Sequence, residues 1–235
     1  MSDHMKRLAA PRSWPLKRKA STWVAKQSPG AHSVESSMPA VTVLRDMIGV
    51  CDTAKEAKKI IGNREVLLDG VPLKNPKAPI GFMDVVSIPK TGKNYRMLLN
   101  DKGKLTMVGI GDDEAKWKLC RIEDKTRVKD GKIQLNLSGG RNMILDKNGY
   151  KTGDVLKIAL EDQSIMDVYH LSKGAAAMVI TGVHAGKTYT VSDYVEIRGP
   201  SPNIIRFDSG SETVKDNVFV VGTQSPAITL PEASQ

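Results

Sequence analysis

Two cysteines in 235 residues exclude more than they suggest. Cys51 and Cys120 lie far apart and neither belongs to a C-x-x-C pair, so a four-cysteine zinc site is arithmetically impossible and no disulfide framework exists. Both are expected as small buried apolar residues of a reducing compartment. His4, His32, His170 and His184 show neither H-x-H nor H-x-x-x-H spacing, and no metal site is expected. No apolar run reaches the roughly eighteen residues a membrane helix needs, so no membrane span is expected. No apolar stretch follows the basic N-terminus, as a secretory signal would require. A G-x-x-x-x-G-K-[ST] loop is missing, and no G-x-G-x-x-G follows a strand. Asp46, Asp69 and Asp84 fall on a helix surface, a hairpin turn and a strand start, and no Ser/His/Asp set has nucleophile-elbow context. No catalytic residue, cofactor or small-molecule substrate is expected.

Acids are scarcest where bases are densest. The first thirty residues hold Lys6, Arg7, Arg12, Lys17, Arg18, Lys19 and Lys26 against Asp3 alone, a net of +6 of the chain's +9. Such a charge density cannot bury itself, because each ionised head loses several kcal/mol when desolvated without a partner. It needs a polyanion. Trp14 and Trp23 lie among the charges, whereas a merely solvating tail is depleted in aromatics. Flat rings stack on bases while cations meet phosphates, which marks a nucleic-acid-binding arm. With Pro11, Pro15, Pro29 and no lasting periodicity, residues 1–38 are expected as an extended arm, with a short helix near Lys17–Lys26.

Residues 39–97 behave differently. Val43, Leu44, Met47 and Ile48 share one helix face that ends near Gly49. Thr53-Ala54-Lys55-Glu56 is a capping box opening a second helix, with Ala54, Ala57, Ile60 and Ile61 on one side and Gly62-Asn63 as its stop. Lys55, Lys58 and Lys59 lie opposite that apolar stripe, with Arg45 on the preceding helix and Arg64 just after. Taken alone, three lysines on a helix face are a solubilising surface; next to a basic arm they read as a track for a nucleic-acid backbone. Glu65–Leu73 reads as strand, Asp69-Gly70 turn and returning strand, and Val85–Ile88 as another strand.

From residue 95 on, short strands alternate with Gly/Asn/Asp turns, the texture of a small barrel or sandwich. Ser138–Asn142 is a glycine turn carrying Arg141. Residues 98–172 form a central β domain and 173–235 a last one, closed by a strand at Val218–Val221. In the latter, Thr181–Lys187 is a Gly-rich loop between strands that can bring backbone N–H groups, His184 and Lys187 near a phosphate.

These segments resemble, in order and nearly end to end, the archaeal and eukaryotic small-subunit ribosomal protein family S4e. The resemblance is carried by His4–Pro15, Leu44–Met47, Glu56–Ile61, Val66–Gly70, Pro79–Val86, Glu114–Cys120, Leu137–Asn142 and residues 176–200. Two departures stand out: Ser138-Gly139 replaces the family's His-Asp pair, and Gly182-Val183 leaves the loop before His184-Ala185-Gly186 one residue short. The resemblance implies an α+β chain. Its parts are a basic arm (1–38), an S4-like RNA-binding module (39–97), a central β-barrel-like domain (98–172) and a C-terminal SH3-like KOW barrel (173–235). It implies a non-enzymatic constituent of the small ribosomal subunit, located in the cytoplasm within the ribosome. Its expected partners are ribosomal RNA and neighbouring ribosomal proteins. Two other readings use the same modules. An RNA-modifying enzyme would need a nucleophilic Asp in an Arg-Leu-Asp context, which this chain lacks. A transcription or translation factor would not need the long arm.

Overall fold

The computed structural model describes residues 4–146 and 149–231, in two compact units. The first takes in the chain up to Leu98 together with Lys104–Lys116; the second takes in Leu99–Gly103 and the chain from Trp117 on.

The first unit opens with a two-stranded ribbon, β1 (His4–Lys6) antiparallel to β2 (Trp23–Ala25). Met5 sits opposite Val24 on its inner face, and Lys6 opposite Trp23 on its outer face. The chain between the strands folds back, so the short helix expected over Lys17–Lys26 is replaced by the strand β2. Farther on, β3 (Ser37–Pro39) leads into α1 (Ala40–Thr42) and a π-helical turn, Val43–Ile48, which stops at Gly49 in the left-handed region at φ 73°. A residue with a side chain is strained there, so glycine is the natural stop.

Helix α2 (Ala54–Gly62) begins as expected from its capping box. The Thr53 hydroxyl accepts the Glu56 N–H at 3.2 Å, and the Glu56 carboxylate accepts the N–H groups of Asp52 and Thr53 at 3.1 and 3.3 Å. Those backbone donors hold the Glu56 carboxyl below its ordinary range. Ala57 and Ile61 are buried, which fixes the rotation of the helix and sends Lys55, Lys58 and Lys59 outward.

Then β4 (Leu67–Leu68) turns at Asp69-Gly70 into β5 (Val71–Pro72). Both turn residues have positive φ, as the tight hairpin requires. β6 (Pro79–Gly81) pairs with β3, while β7 (Val85–Ile88), β8 (Lys93–Leu99) and β9 (Leu105–Ile110) complete a sheet of order β5-β4-β7-β8-β9. Arg96 on β8 is fully buried, with its guanidinium on the Glu114 carboxylate and on the Glu114 carbonyl, both at 2.9 Å. The arm is sewn to this unit by Leu105 N–H to the Ser13 carbonyl and Ser28 N–H to the Lys77 carbonyl, each 2.8 Å.

The second unit is built of β-strands, with short 3-10 turns at Lys129–Gly131, Ser138–Gly140 and Lys215–Asn217. Its first sheet runs β10 (Trp117–Arg127), β11 (Ile133–Leu137), β12 (Arg141–Leu145), β13 (Val155–Ala159) and β14 (Ile165–Tyr169), ordered β12-β11-β10-β13-β14. Alternate residues of these strands, Cys120, Ile122, Leu135, Leu137, Leu156 and Ile158, form one core. Its second sheet runs β15 (Ala176–Val179), β16 (Thr188–Val195), β17 (Ile204–Phe207), β18 (Glu212–Val214) and β19 (Val218–Gly222), ordered β18-β17-β16-β15-β19. Pairing is antiparallel throughout, and among the described residues the end strands of each sheet are not joined to one another. Where a β-barrel-like central domain and an SH3-like barrel were expected, the described residues form open five-stranded sheets within a mostly β chain. Alternation along a strand shows which face is buried but is the same in open and closed sheets, so the sequence pattern could not tell them apart.

Candidate nucleic-acid interface

The arm is folded back on itself and bonded to the rest of the first unit. Trp14 is 2 % exposed and donates its indole N–H to the Val34 carbonyl at 3.2 Å. A ring with no open face cannot take a base, so the expectation that Trp14 stacks on nucleic acid is corrected: it anchors the arm. Arg7 is buried and donates Nε to the Lys17 carbonyl at 2.6 Å. Arg18 gathers the carbonyls of Leu8, Ala10 and Pro11 at 3.1, 2.7 and 2.9 Å. A buried charge needs such partners, and hydrogen bonds to a charged group contribute about 1.5–3 kcal/mol each. Arg7 and Arg18 thus hold the loop between β1 and β2. The extended arm of the sequence reading is corrected to a ribbon with an internally braced loop.

Carbonyls quench no charge, so the arm stays cationic after folding. Lys6, Arg12, Lys17 and Lys19 are exposed, and no ion pair engages them among the described residues. Lys26 is half-buried beside β2, and Trp23 is 56 % exposed. The Trp23 ring has the His4 imidazole edge-on at 5.8 Å between centroids. His4 carries no signal as a metal ligand, but its i, i+2 relation to Lys6 places it on the ribbon's outer face. That alternation could have found it in the sequence.

On α2, Lys55, Lys58 and Lys59 are exposed, and so is Arg64 just beyond it at φ 59°. Arg45 is placed differently from the expectation. Its guanidinium is clamped by Asp46 through two bonds of 2.8 Å, which raise its pKa against the opposing effect of burial. That pair removes most of its reach toward a phosphate. The first unit thus presents two basic surfaces, the outside of the arm and the outer face of α2.

The remaining expected residues lie in the second unit. Arg141 opens β12 opposite Leu137 and is half-buried. His184 packs edge-on against Tyr189 at 6.1 Å, and Tyr189 stacks on Phe207 at 5.1 Å. Lys187 is exposed at the end of the loop, where Gly182 and Gly186 take φ values of 101° and 88°. A Cβ on Gly186 would overlap the Asn100 carbonyl, so that loop shape depends on glycine. Two other cations of this unit are internal. Arg121 spends its donors on Glu123 and on the carbonyls of Asp216 and Val218, and Lys215 donates to the Thr152 hydroxyl at 2.9 Å. Burial lowers the Lys215 pKa, against the raising pull of Asp216 and Asp154.

The model of "Ribosomal family S4e" matches residues 91–165, and that of the "RS4NT (NUC023) domain" matches residues 1–35. The small ribosomal subunit protein eS4 of Methanothermobacter thermautotrophicus is 41% identical over 232 residues, covering 97% of this chain and 96% of the relative. Its counterpart in Methanocella arvoryzae is 42% identical over 229 residues, covering 96% of this chain and 97% of the relative. Among solved structures, the 30S ribosomal protein S4e of Thermoplasma acidophilum superposes with a TM-score of 0.72 at 32% identity, covering 80% of this chain and 96% of that one.

Proposed function

Because the chain belongs to the ribosomal S4e family, we propose that it is a structural, non-enzymatic constituent of the small ribosomal subunit that holds ribosomal RNA. Its place is then the cytoplasm, within the ribosome, among RNA and neighbouring ribosomal proteins. The single observation that carries the RNA-binding part is the uncompensated charge. Lys6, Lys17 and Lys19 of the arm and Lys55, Lys58 and Lys59 on the outer face of α2 are exposed without ion pairs among the described residues, while Arg7, Arg18 and Arg45 are spent on the fold. We read residues 1–38 as the arm, 39–97 as the S4-like module, 98–172 as the central β domain and 173–235 as the SH3-like KOW segment. The short loop between β15 and β16, turned by left-handed glycines, supports the last of these.

The interface residues of this reading are Lys6, Arg12, Lys17, Lys19, Lys26, Lys55, Lys58, Lys59 and Arg64, with Lys187 as a contact of the second unit. Lysine contacts to phosphate set position and not sequence. If about six phosphates are neutralised, log affinity for small-subunit ribosomal RNA falls against log salt with a slope of about −4 to −5. A salt titration of the purified chain checks this, and a slope near zero would contradict electrostatic holding.

A further inference from the structure

We propose that the outer face of the β1–β2 ribbon is a stacking platform for one unpaired nucleobase, with the Trp23 indole as platform, His4 as its edge-on support and Lys6 as the neighbouring phosphate ligand. This rests on the RNA-binding reading above and narrows it to a single-stranded or looped-out nucleotide at this spot.

Strand geometry puts the three side chains together. Residues opposite one another in an antiparallel pair share a face, and so do residues two apart along a strand. Lys6 is directly opposite Trp23, and His4 is two residues from Lys6. The other face carries Met5 and Val24 and turns inward, where Val24 is buried. His4 meets the Trp23 ring at 60° with 5.8 Å between centroids, an edge-type contact that steadies the indole, and Trp23 remains 56 % exposed.

The three tryptophans are not equivalent. Trp14 and Trp117 are 2 % and 7 % exposed, Trp23 56 %. Trp23 is the one tryptophan that can offer a ring to a partner, and Leu8, 68 % exposed, adds apolar surface in the same segment. The platform is held before any ligand arrives. Arg7 N–H donates to the Thr22 carbonyl at 2.9 Å, its Nε bonds the Lys17 carbonyl, and Arg18 ties three carbonyls of the intervening loop. Little ordering entropy is then lost on stacking.

The charge around it selects the occupant. Lys6, Lys17 and Lys19 are exposed, and no described residue of this arm segment before Gly30 is acidic, so a polyanion is favoured over an apolar protein surface. In a duplex both faces of each base are already covered, whereas an unpaired base has a free face, and this stacking is sequence-tolerant.

The test uses the full chain, a single-stranded oligouridylate and an RNA duplex of matched phosphate number. Fluorescence anisotropy is read for the wild type, Trp23→Ala and Trp23→Phe, with circular dichroism as the check on folding. Trp23→Ala is expected to weaken single-strand binding about tenfold or more. Duplex binding and the salt slope should stay unchanged, and Trp23→Phe should recover most of the loss. Equal loss on both RNAs, or no loss on the single strand, would overturn the platform while leaving RNA binding intact. A wild type that binds neither RNA even at low salt would overturn the RNA-binding reading itself, and the platform with it.

Discussion

Replacing Lys55, Lys58 and Lys59 together by glutamate is expected to weaken binding to small-subunit ribosomal RNA by about a hundredfold or more at about 0.1 M salt. The size follows from counterion release. Each phosphate contact contributes about fivefold at that salt, three contacts multiply to about a hundredfold, and reversed charge adds repulsion. Stability should hardly move, because all three side chains are exposed and substitutions on such surfaces usually stay within about 0.5 kcal/mol. The measurement is a pair: anisotropy against a fluorescent rRNA fragment, and a thermal melt. Unchanged affinity would mean that the outer face of α2 is a solubilising surface, as an isolated lysine-rich helix would be. Lost affinity with a lowered melting temperature would point to α2 packing instead.

The second large effect concerns Trp14. Trp14→Ala is expected to destabilise the first unit by about 3–5 kcal/mol, the usual loss when a buried indole is truncated. It removes the ring under the arm and the donor to the Val34 carbonyl. Urea unfolding measures it, and Trp23→Ala serves as the control that should cost far less. A Trp14→Ala chain that is as stable as the wild type but poor at binding RNA would identify Trp14 as a base-stacking residue and contradict its role as an anchor.

These two outcomes turn on which cations and rings the fold consumes, and the sequence was silent on that. It shows seven cations and two indoles in the arm with equal standing. Folding sorts them through contacts that have no periodicity. Arg18 reaches back to carbonyls seven to ten residues earlier in an irregular loop, and Trp14 reaches forward twenty to Val34. The Arg45–Asp46 clamp is adjacent in sequence, yet neighbours on a helix ordinarily face different ways, so the pair was not an obvious one.

What was legible is what local chemistry decides. The Thr53–Glu56 capping box, the Asp69-Gly70 turn and the Ala57/Ile61 buried stripe each depend on residues within a few positions of one another, and each is found where the pattern put it. The lysine face of α2 was readable for the same reason: burying one side of a helix defines the other. The buried Arg96–Glu114 pair was not, because it joins a strand to a loop eighteen residues away that reads only as an acidic turn. Order of strands was readable where hairpins join them, while sheet closure depends on edge strands meeting across the whole domain.

The most direct measurement of the central claim is protein–RNA crosslinking in purified, washed small subunits, with crosslinked peptides mapped to residues. The account predicts crosslinks to RNA in the peptides bearing Lys6, Lys17, Lys19 and Trp23 and in the α2 peptide bearing Lys55, Lys58 and Lys59. Crosslinks confined to other parts of the chain, with both of these peptides recovered unmodified, would contradict it.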